Sequence, residues 1–148
     1  MPHRLLAVPL AAWERDGVKA ALVKTGLTAD DIGDPGILFW RFETFEDIPI
    51  GFGGIEVHGR DALLRSLVTL PPLRQIGMGA AMVAALETEA RALKCQSVYV
   101  LPSTLGEFFA RLGYSPCASD AVPEQIRASG EFARHGANGG VLTKRLVP

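Results

Sequence analysis

The sequence predicts one α+β domain built on a mixed β-sheet. Three observations carry this. Short β-branched and aromatic runs alternate with longer stretches of helical period. A Gly-Arg turn joins two of the extended runs into an antiparallel pair, and a strand–helix–strand unit follows directly. At 148 residues the chain has the length of a single domain with a substantial core.

The elements follow in order. Leu5 to Val8 can form a first strand. Pro9 then precedes an amphipathic helix to about Lys24, closed by Gly26, and Thr28-Ala29-Asp30-Asp31 resembles a capped start of a second, short helix. Asp34-Pro35-Gly36 is a turn signal, and Ile37 to Phe42 reads as a strand. Asp47-Ile48-Pro49 breaks the chain before a glycine-containing strand, Ile50 to His58. His58-Gly59-Arg60-Asp61 makes the hairpin turn, Ala62 to Leu70 the returning strand, and Pro71-Pro72 ends it.

Arg74-Gln75-Ile76-Gly77-Met78-Gly79 then opens a helix spanning 77 to 93. Met78, Met82, Ala85, Leu86 and Leu93 fall on one side of it. Its first turns carry no acid, and Glu87 and Glu89 come late, the reverse of what the helix dipole favours. Glycines without Cβ atoms, an arginine and the free N–H groups of a first helical turn together make an anion cradle. A tight glycine-rich turn packed against a sheet would use the same residues.

Gln96 to Leu101 is a short buried strand, parallel to the one before the helix. Thr104 to Leu112 is a compact helix stopped by Gly113, and Tyr114 starts a further extended segment. Val122-Pro123-Glu124-Gln125 opens a helical stretch to about Ala133, His135 to Gly140 is a turn, and Gly140 to Val147 returns as a last strand.

Composition narrows the function classes. A formal net charge of -1 argues against a dedicated nucleic-acid binder. No apolar run reaches membrane-spanning length, and charges near the start interrupt any signal-peptide pattern, so a cytoplasmic location is expected. Cys95 and Cys117 form no Cys-x-x-Cys pair and the histidines are scattered, so no metal site is expected.

The cradle does not match the Walker pattern, which needs Gly-Lys-Ser/Thr, and Met82 stands where a dinucleotide fingerprint needs its third glycine. Arg74, Gly77 and Gly79 do occupy the specified positions of Gln/Arg-x-x-Gly-x-Gly/Ala, the coenzyme A loop of the Gcn5-related N-acetyltransferases (GNAT). Phe108-Phe109 followed by Gly113-Tyr114 resembles that family's second signature. With both in place, the order of elements resembles the GNAT fold from end to end.

The resemblance implies a mostly antiparallel twisted sheet of six to seven strands, a splayed parallel pair and helices on both faces. It further implies acetyl-CoA as cosubstrate, bound by Leu67, Val68 and Thr69 along a free strand edge and by Arg74, Gln75, Ile76, Gly77, Met78 and Gly79 at the pyrophosphate. Phe108 and Phe109 would pack around pantetheine or at the helix–sheet interface. The expected partner is a small-molecule amine, and since many relatives are dimers, a homodimer is a further expectation.

Ala62-Leu63-Leu64-Arg65-Ser66-Leu67, Glu107-Phe108-Phe109, Val122-Pro123-Glu124-Gln125-Ile126-Arg127 and Glu131-Phe132 resemble, more narrowly, an arsenic-resistance-associated N-acetyltransferase subfamily. The chain departs from it at Leu101-Pro102-Ser103-Thr104, where threonines without the proline are expected, and in a tail, 135–140, that lacks a cysteine. The acceptor this implies is an arsenic-containing or other toxic amino acid.

Acetyl transfer needs a neutral amine, yet an alkyl ammonium has a pKa near ~10, so a base must remove a proton. Glu56 is the candidate base, acting directly or through water; the bland alternative is a solvent-facing strand carboxylate. Backbone N–H near Val68 is the natural oxyanion donor. Arg65 is a candidate clamp for an acidic substrate, or else a surface arginine paired with a strand neighbour. Phe109 stands where the family usually places a tyrosine acid, so Ser103, Tyr114 or water must protonate the thiolate, or it departs unprotonated at a pKa near ~8.5. A non-catalytic acyl-CoA-binding module is the competing function that Phe109 favours.

Overall fold

Runs rich in Val, Ile, Phe and Trp become strands, and their alternating burial decides which face each residue serves. The computed structural model describes residues 5–10, 37–44, 49–69, 78–101, 106–128 and 140–147. The strands are β1 (Leu6–Pro9), β2 (Ile37–Glu43), β3 (Pro49–His58), β4 (Asp61–Thr69), β5 (Ser97–Val100), β6 (Ser115–Cys117) and β7 (Val141–Arg145). The helices are α1 (Met78–Ala92), α2 (Gly106–Arg111) and α3 (Glu124–Arg127), with a 3-10 turn at Ser119–Ala121 that the sequence did not lead one to expect. The two helices expected between Pro9 and Asp31 lie outside the described residues, as does the stretch expected to carry α3 on to Ala133.

The strands form one seven-stranded sheet in the order β1-β2-β3-β4-β5-β7-β6. Every neighbouring pair is antiparallel except β4 with β5, the pair joined through α1. This is the mixed, mostly antiparallel sheet expected, at the upper end of the six to seven strands.

Alternation along β4 divides the core between the two faces. Ala62 and Leu64 join the larger cluster, with Met82, Val83, Leu86 and Ala90 of α1, Ile55 of β3 and Phe109 of α2. Leu63 points the other way, to Val122, Ile126 and Val141, so α3 covers the second face. The buried stripe of α1 is shifted from the expected one: Val83 and Ala90 are buried, whereas Ala85 and Leu93 are only partly so. Two adjacent glycines of β3 serve one face each. A Cβ on Gly53 would sit 2.9 Å from Leu86 of α1, and one on Gly54 2.6 Å from the Phe39 ring. Both faces pack too closely at this point for any side chain.

Two helices end in the same motif. In α1, Cys95 N–H donates to the Ala90 carbonyl and Lys94 N–H to that of Arg91; in α2, Tyr114 N–H donates to Phe109 and Gly113 N–H to Ala110. These are the paired bonds of a Schellman cap, which needs a left-handed residue just past the helix. Gly113 (φ 95°) suits that position, while Lys94 (φ 68°) holds it at a steric cost. Cys95, which closes the first cap, is a buried free thiol, and Cys117 is free and half-buried.

Lys94→Gly is therefore expected to stabilise the fold by about 1 kcal/mol, and Gly113→Ala to destabilise it by a similar amount. Urea unfolding midpoints with an unchanged m-value are the check. A Lys94→Gly midpoint at or below that of the parent would contradict the strain assigned to this position.

Candidate active site

The site is organised by where β4 loses a neighbour. Its ladder with β5 pairs Asp61 with Ser97 and ends at Leu64 with Val100, although β4 continues to Thr69. Pairing with β3 persists to Thr69 opposite Gly51, but its register shifts between Phe52 and Gly54. Gly54 faces Arg65 and Phe52 faces Val68, so Ser66 and Leu67 together oppose Gly53. That is a β-bulge, one extra residue that bends and twists the strand carrying it. Among the described residues, no strand pairs with the other edge of residues 66–69. Leu67, Val68 and Thr69, the expected pantetheine edge, thus lie past the end of the parallel ladder.

α1 starts beside this opening at Met78, with no acidic residue in its first turn and Arg91 in its last. Residues 70–77, which include Arg74, Gln75, Ile76 and Gly77, lie outside the described residues. Gly79 is described, and its role is visible in the packing. A Cβ there would stand 3.2 Å from Cζ of Phe108, so the absence of a side chain lets α2 approach the start of α1. Phe108 and Phe109, adjacent in sequence, meet edge to face with centroids 5.0 Å apart. Phe109 also meets Tyr114 edge to face, at 5.3 Å, and is buried in the core. Of the two positions proposed for Phe109, pantetheine wall or helix–sheet interface, the core cluster places it at the interface.

On the face opposite α1 lies a short run of charged groups. Glu56 is buried, and Arg65 is more so, with its side chain 0% exposed. Arg65 Nη1 donates to Glu56 Oε2 at 3.0 Å, and His58 Nε2 lies 2.6 Å from Glu56 Oε1. The solvent-facing alternative for Glu56 and the surface alternative for Arg65 are both excluded by this burial. Arg65 does pair with a strand neighbour, as its bland reading had it, but inside the protein. Sequence reasoning missed His58. The signal was present: residues two apart on a strand share a face, and His58 is two beyond Glu56.

The second buried polar cluster belongs to the framework. Tyr114 hydroxyl donates to Glu87 Oε2 at 2.8 Å, and Lys144 Nζ donates to Glu87 Oε1 at 3.2 Å and to the Leu112 carbonyl at 3.0 Å. Burial, and then the neighbouring Glu87 carboxylate, push the Tyr114 hydroxyl far above its ordinary range. The Tyr114 hydroxyl is thus committed to Glu87 in this structure. Ser103 lies outside the described residues. A recess of about 200 Å³ along β1 and β2 is lined by Pro9, Leu10, Ile37, Leu38, Phe39 and Trp40 and carries no titratable group. Among the described residues, Glu56, His58 and Arg65 form the linked set of titratable groups closest to the bulge and are the candidates for its chemistry.

Comparison with known proteins agrees with this architecture. No curated protein sequence matches the chain. The fold is similar to that of N-acetylglutamate synthase from Neisseria gonorrhoeae, solved with coenzyme A and N-acetyl-glutamate (TM-score 0.79, 18% identity, 100% of this chain and 36% of that one). The chain thus spans about a third of the length of that synthase. It is similar as well to Rv2747 from Mycobacterium tuberculosis, solved with CoA (TM-score 0.71, 19% identity, 96% and 99% covered). An aminoglycoside 6'-N-acetyltransferase solved with coenzyme A gives a TM-score of 0.68 at 17% identity, with 97% and 98% covered. At these identities the likeness is one of fold. The model of the acetyltransferase (GNAT) family matches residues 8–114, well over half of the chain. The bulged strand, the parallel pair and the start of α1 all fall within the matched residues, and the chain belongs to the GNAT family.

Proposed function

We propose that this chain is an acetyl-CoA-dependent N-acetyltransferase, acting as a single domain on the amine of a small molecule that carries an acid group. The observation that carries the reading is the buried Arg65–Glu56 pair beside the bulge, where β4 parts from β5. It puts a carboxylate and a fixed cation next to the one stretch of sheet edge suited to an extended amide-bearing ligand.

The described residues fit coenzyme A. Residues 66–69 offer backbone groups past the end of the β5 ladder, and α1 begins without an acid to repel a pyrophosphate. Arg74, Gly77 and the backbone of Met78 and Gly79 are the residues assigned to hold it. When bound, the coenzyme supplies an acetyl thioester.

The protein's own groups divide the remaining work. Glu56 takes a proton from the acceptor ammonium, directly or through water. Backbone N–H at Val68 stabilises negative charge growing on the carbonyl oxygen. Arg65 holds the acceptor's acid group while one of its nitrogens stays on Glu56. With Phe109 in the core and Tyr114 committed to Glu87, the thiolate leaves unprotonated or takes its proton from water or Ser103. The narrower substrate is an amino acid, with an arsenic-containing or other toxic one as the first to try, on the strength of the subfamily resemblance in 62–67 and 122–127. The synthase of similar fold, solved with N-acetyl-glutamate, supports an amino-acid acceptor. The cytoplasm is the expected location, and a homodimer the expected assembly.

Release of free thiol from acetyl-CoA across a panel of amino acids, polyamines and aminoglycosides tests the reading. Turnover is expected with acidic amino acids. Coenzyme binding with no thiol release for any amine would instead support an acyl-CoA-binding module. Arg74→Glu is expected to raise the acetyl-CoA dissociation constant about tenfold or more by reversing the cradle's charge. Unchanged affinity by calorimetry would remove Arg74 from the pyrophosphate site. Arg65→Lys keeps a cation for Glu56 but loses the planar fork, so KM for acidic acceptors should rise about tenfold while KM for acetyl-CoA stays put. Equal KM values for acidic acceptors in parent and variant would refute the clamp.

A further inference from the structure

The β3–β4 hairpin carries a line of polar groups that runs from the bulge to the solvent-exposed turn. On the face opposite α1 its cross-strand pairs are Gly54 with Arg65, Glu56 with Leu63 and His58 with Asp61. Glu56 uses both carboxylate oxygens: Oε2 accepts from Arg65 Nη1 at 3.0 Å, and Oε1 lies 2.6 Å from His58 Nε2. The carboxylate therefore links a guanidinium with no exposure to an imidazole that is 19% exposed. Of the three side chains, that of His58 is the most exposed.

We infer that His58 is a positioning residue for the acetyl-transfer reaction, its imidazole carrying the acceptor's proton from buried Glu56 to water at the hairpin turn. The inference rests on the acetyltransferase reading above, and it names the exit for the proton that the reading leaves on Glu56. The acceptor arrives as an ammonium; one N–H bond breaks and its proton goes to the Glu56 carboxylate. At rest the ring donates Nε2–H to Glu56 Oε1; once its proton has exchanged to Nδ1 through water at the turn, Nε2 accepts the proton from protonated Glu56 across the 2.6 Å contact. The imidazolium loses a proton to water, Glu56 is again a carboxylate, and Arg65 keeps its protons throughout.

The groups facing His58 suit the passing charge. Glu56 neighbours it on β3, Asp61 faces it across the ladder, and Arg60 in the turn is exposed to solvent. Burial pushes the Asp61 carboxyl up, and the charge of His58 draws it partly back down, which marks the two as close. Two carboxyl groups thus flank the ring on which positive charge must form.

His58→Gln separates a relay from a structural hydrogen bond. The glutamine amide can still donate to Glu56 and hold it in place, but it cannot carry a proton. The variant is expected to keep the parent's melting temperature and its affinity for acetyl-CoA, while kcat at pH 7 falls about tenfold or more and both KM values change little. The defect should shrink as pH approaches the acceptor amine's own pKa near ~10, where the amine arrives already neutral. Imidazole added to His58→Ala should restore several-fold of the lost rate. A His58→Gln kcat within about twofold of the parent overturns the relay alone. So does a loss of rate that neither imidazole nor rising pH relieves. Absence of thiol release by the parent protein with every amine overturns the acetyltransferase reading, and the relay with it.

Discussion

The candidate site is arranged around the point past which β4, among the described residues, has one strand neighbour in place of two. It pairs with β5 as far as Leu64 and with β3 as far as Thr69, and the bulge at Ser66 and Leu67 stands just past the point where β5 is lost. Buried peptide groups without partners are costly, by roughly 1–3 kcal/mol for each one left unsatisfied. Among the described residues the β4 edge at 66–69 has no strand partner, so an extended ligand with amide groups of its own can pair there. Pantetheine does so in the proposed complex. The bulge also reverses the usual alternation, so Arg65 and Leu67 serve opposite faces of the sheet although they are two residues apart. Leu67 packs toward Leu86 and Gly53 on the α1 side, while Arg65 joins Glu56 on the other.

The aromatic signature downstream has a physical origin independent of any ligand. In a Schellman cap the residue after the left-handed glycine commonly packs against the residue whose carbonyl it caps. Tyr114 and Phe109 hold those two positions, and their rings meet edge to face at 73°. The tyrosine hydroxyl then reaches Glu87 of α1, which also takes Lys144 of β7. One short motif thus ties α2 to the long helix and to the far side of the sheet. It fixes the position of Phe108 against Gly79 at the start of α1. Phe109 is spent on this framework, where a phenyl ring with no proton to give serves as well as a phenol.

Much of the architecture was legible because periodicity and turn chemistry are local. The Gly59–Arg60 hairpin, the strands at 37–43, 49–58 and 61–69, and the helix stopped by Gly113 stand within a residue or two of where alternation and punctuation put them. The bulge was not read from the sequence, although the two polar residues within Leu64-Arg65-Ser66-Leu67 break strict alternation, because such a break does not by itself separate an extra residue from a polar side chain on the core face. Lys94 in a left-handed conformation was hidden for a related reason: the cap depends on where the helix ends in space, and no glycine marks it. At the site, Glu56 and Arg65 were singled out as candidates, but their contact was not, because it is diagonal: Glu56 faces Leu63 across the hairpin and Arg65 faces Gly54. His58 was discounted as one of three scattered histidines; only its two-residue spacing from Glu56 on a strand tied it to the site.

The Glu56–Arg65 pair also bears on why a site of this kind tolerates buried charge. Taking both ions out of water costs several kcal/mol each, and their mutual attraction offsets this only with good geometry. A well-packed apolar pair in the same place would hold the hairpin at least as firmly, so stability gives little reason to keep them. A fixed orientation is a better reason. Arg65 has no exposed surface and one nitrogen committed to Glu56, so its guanidinium plane is set before any acceptor arrives. Side-chain ordering, which can cost about 0.5–1.5 kcal/mol per immobilised group on binding, is then already complete in the free protein. The same pair keeps Glu56 pointed along the hairpin toward His58, where the line of polar groups meets water.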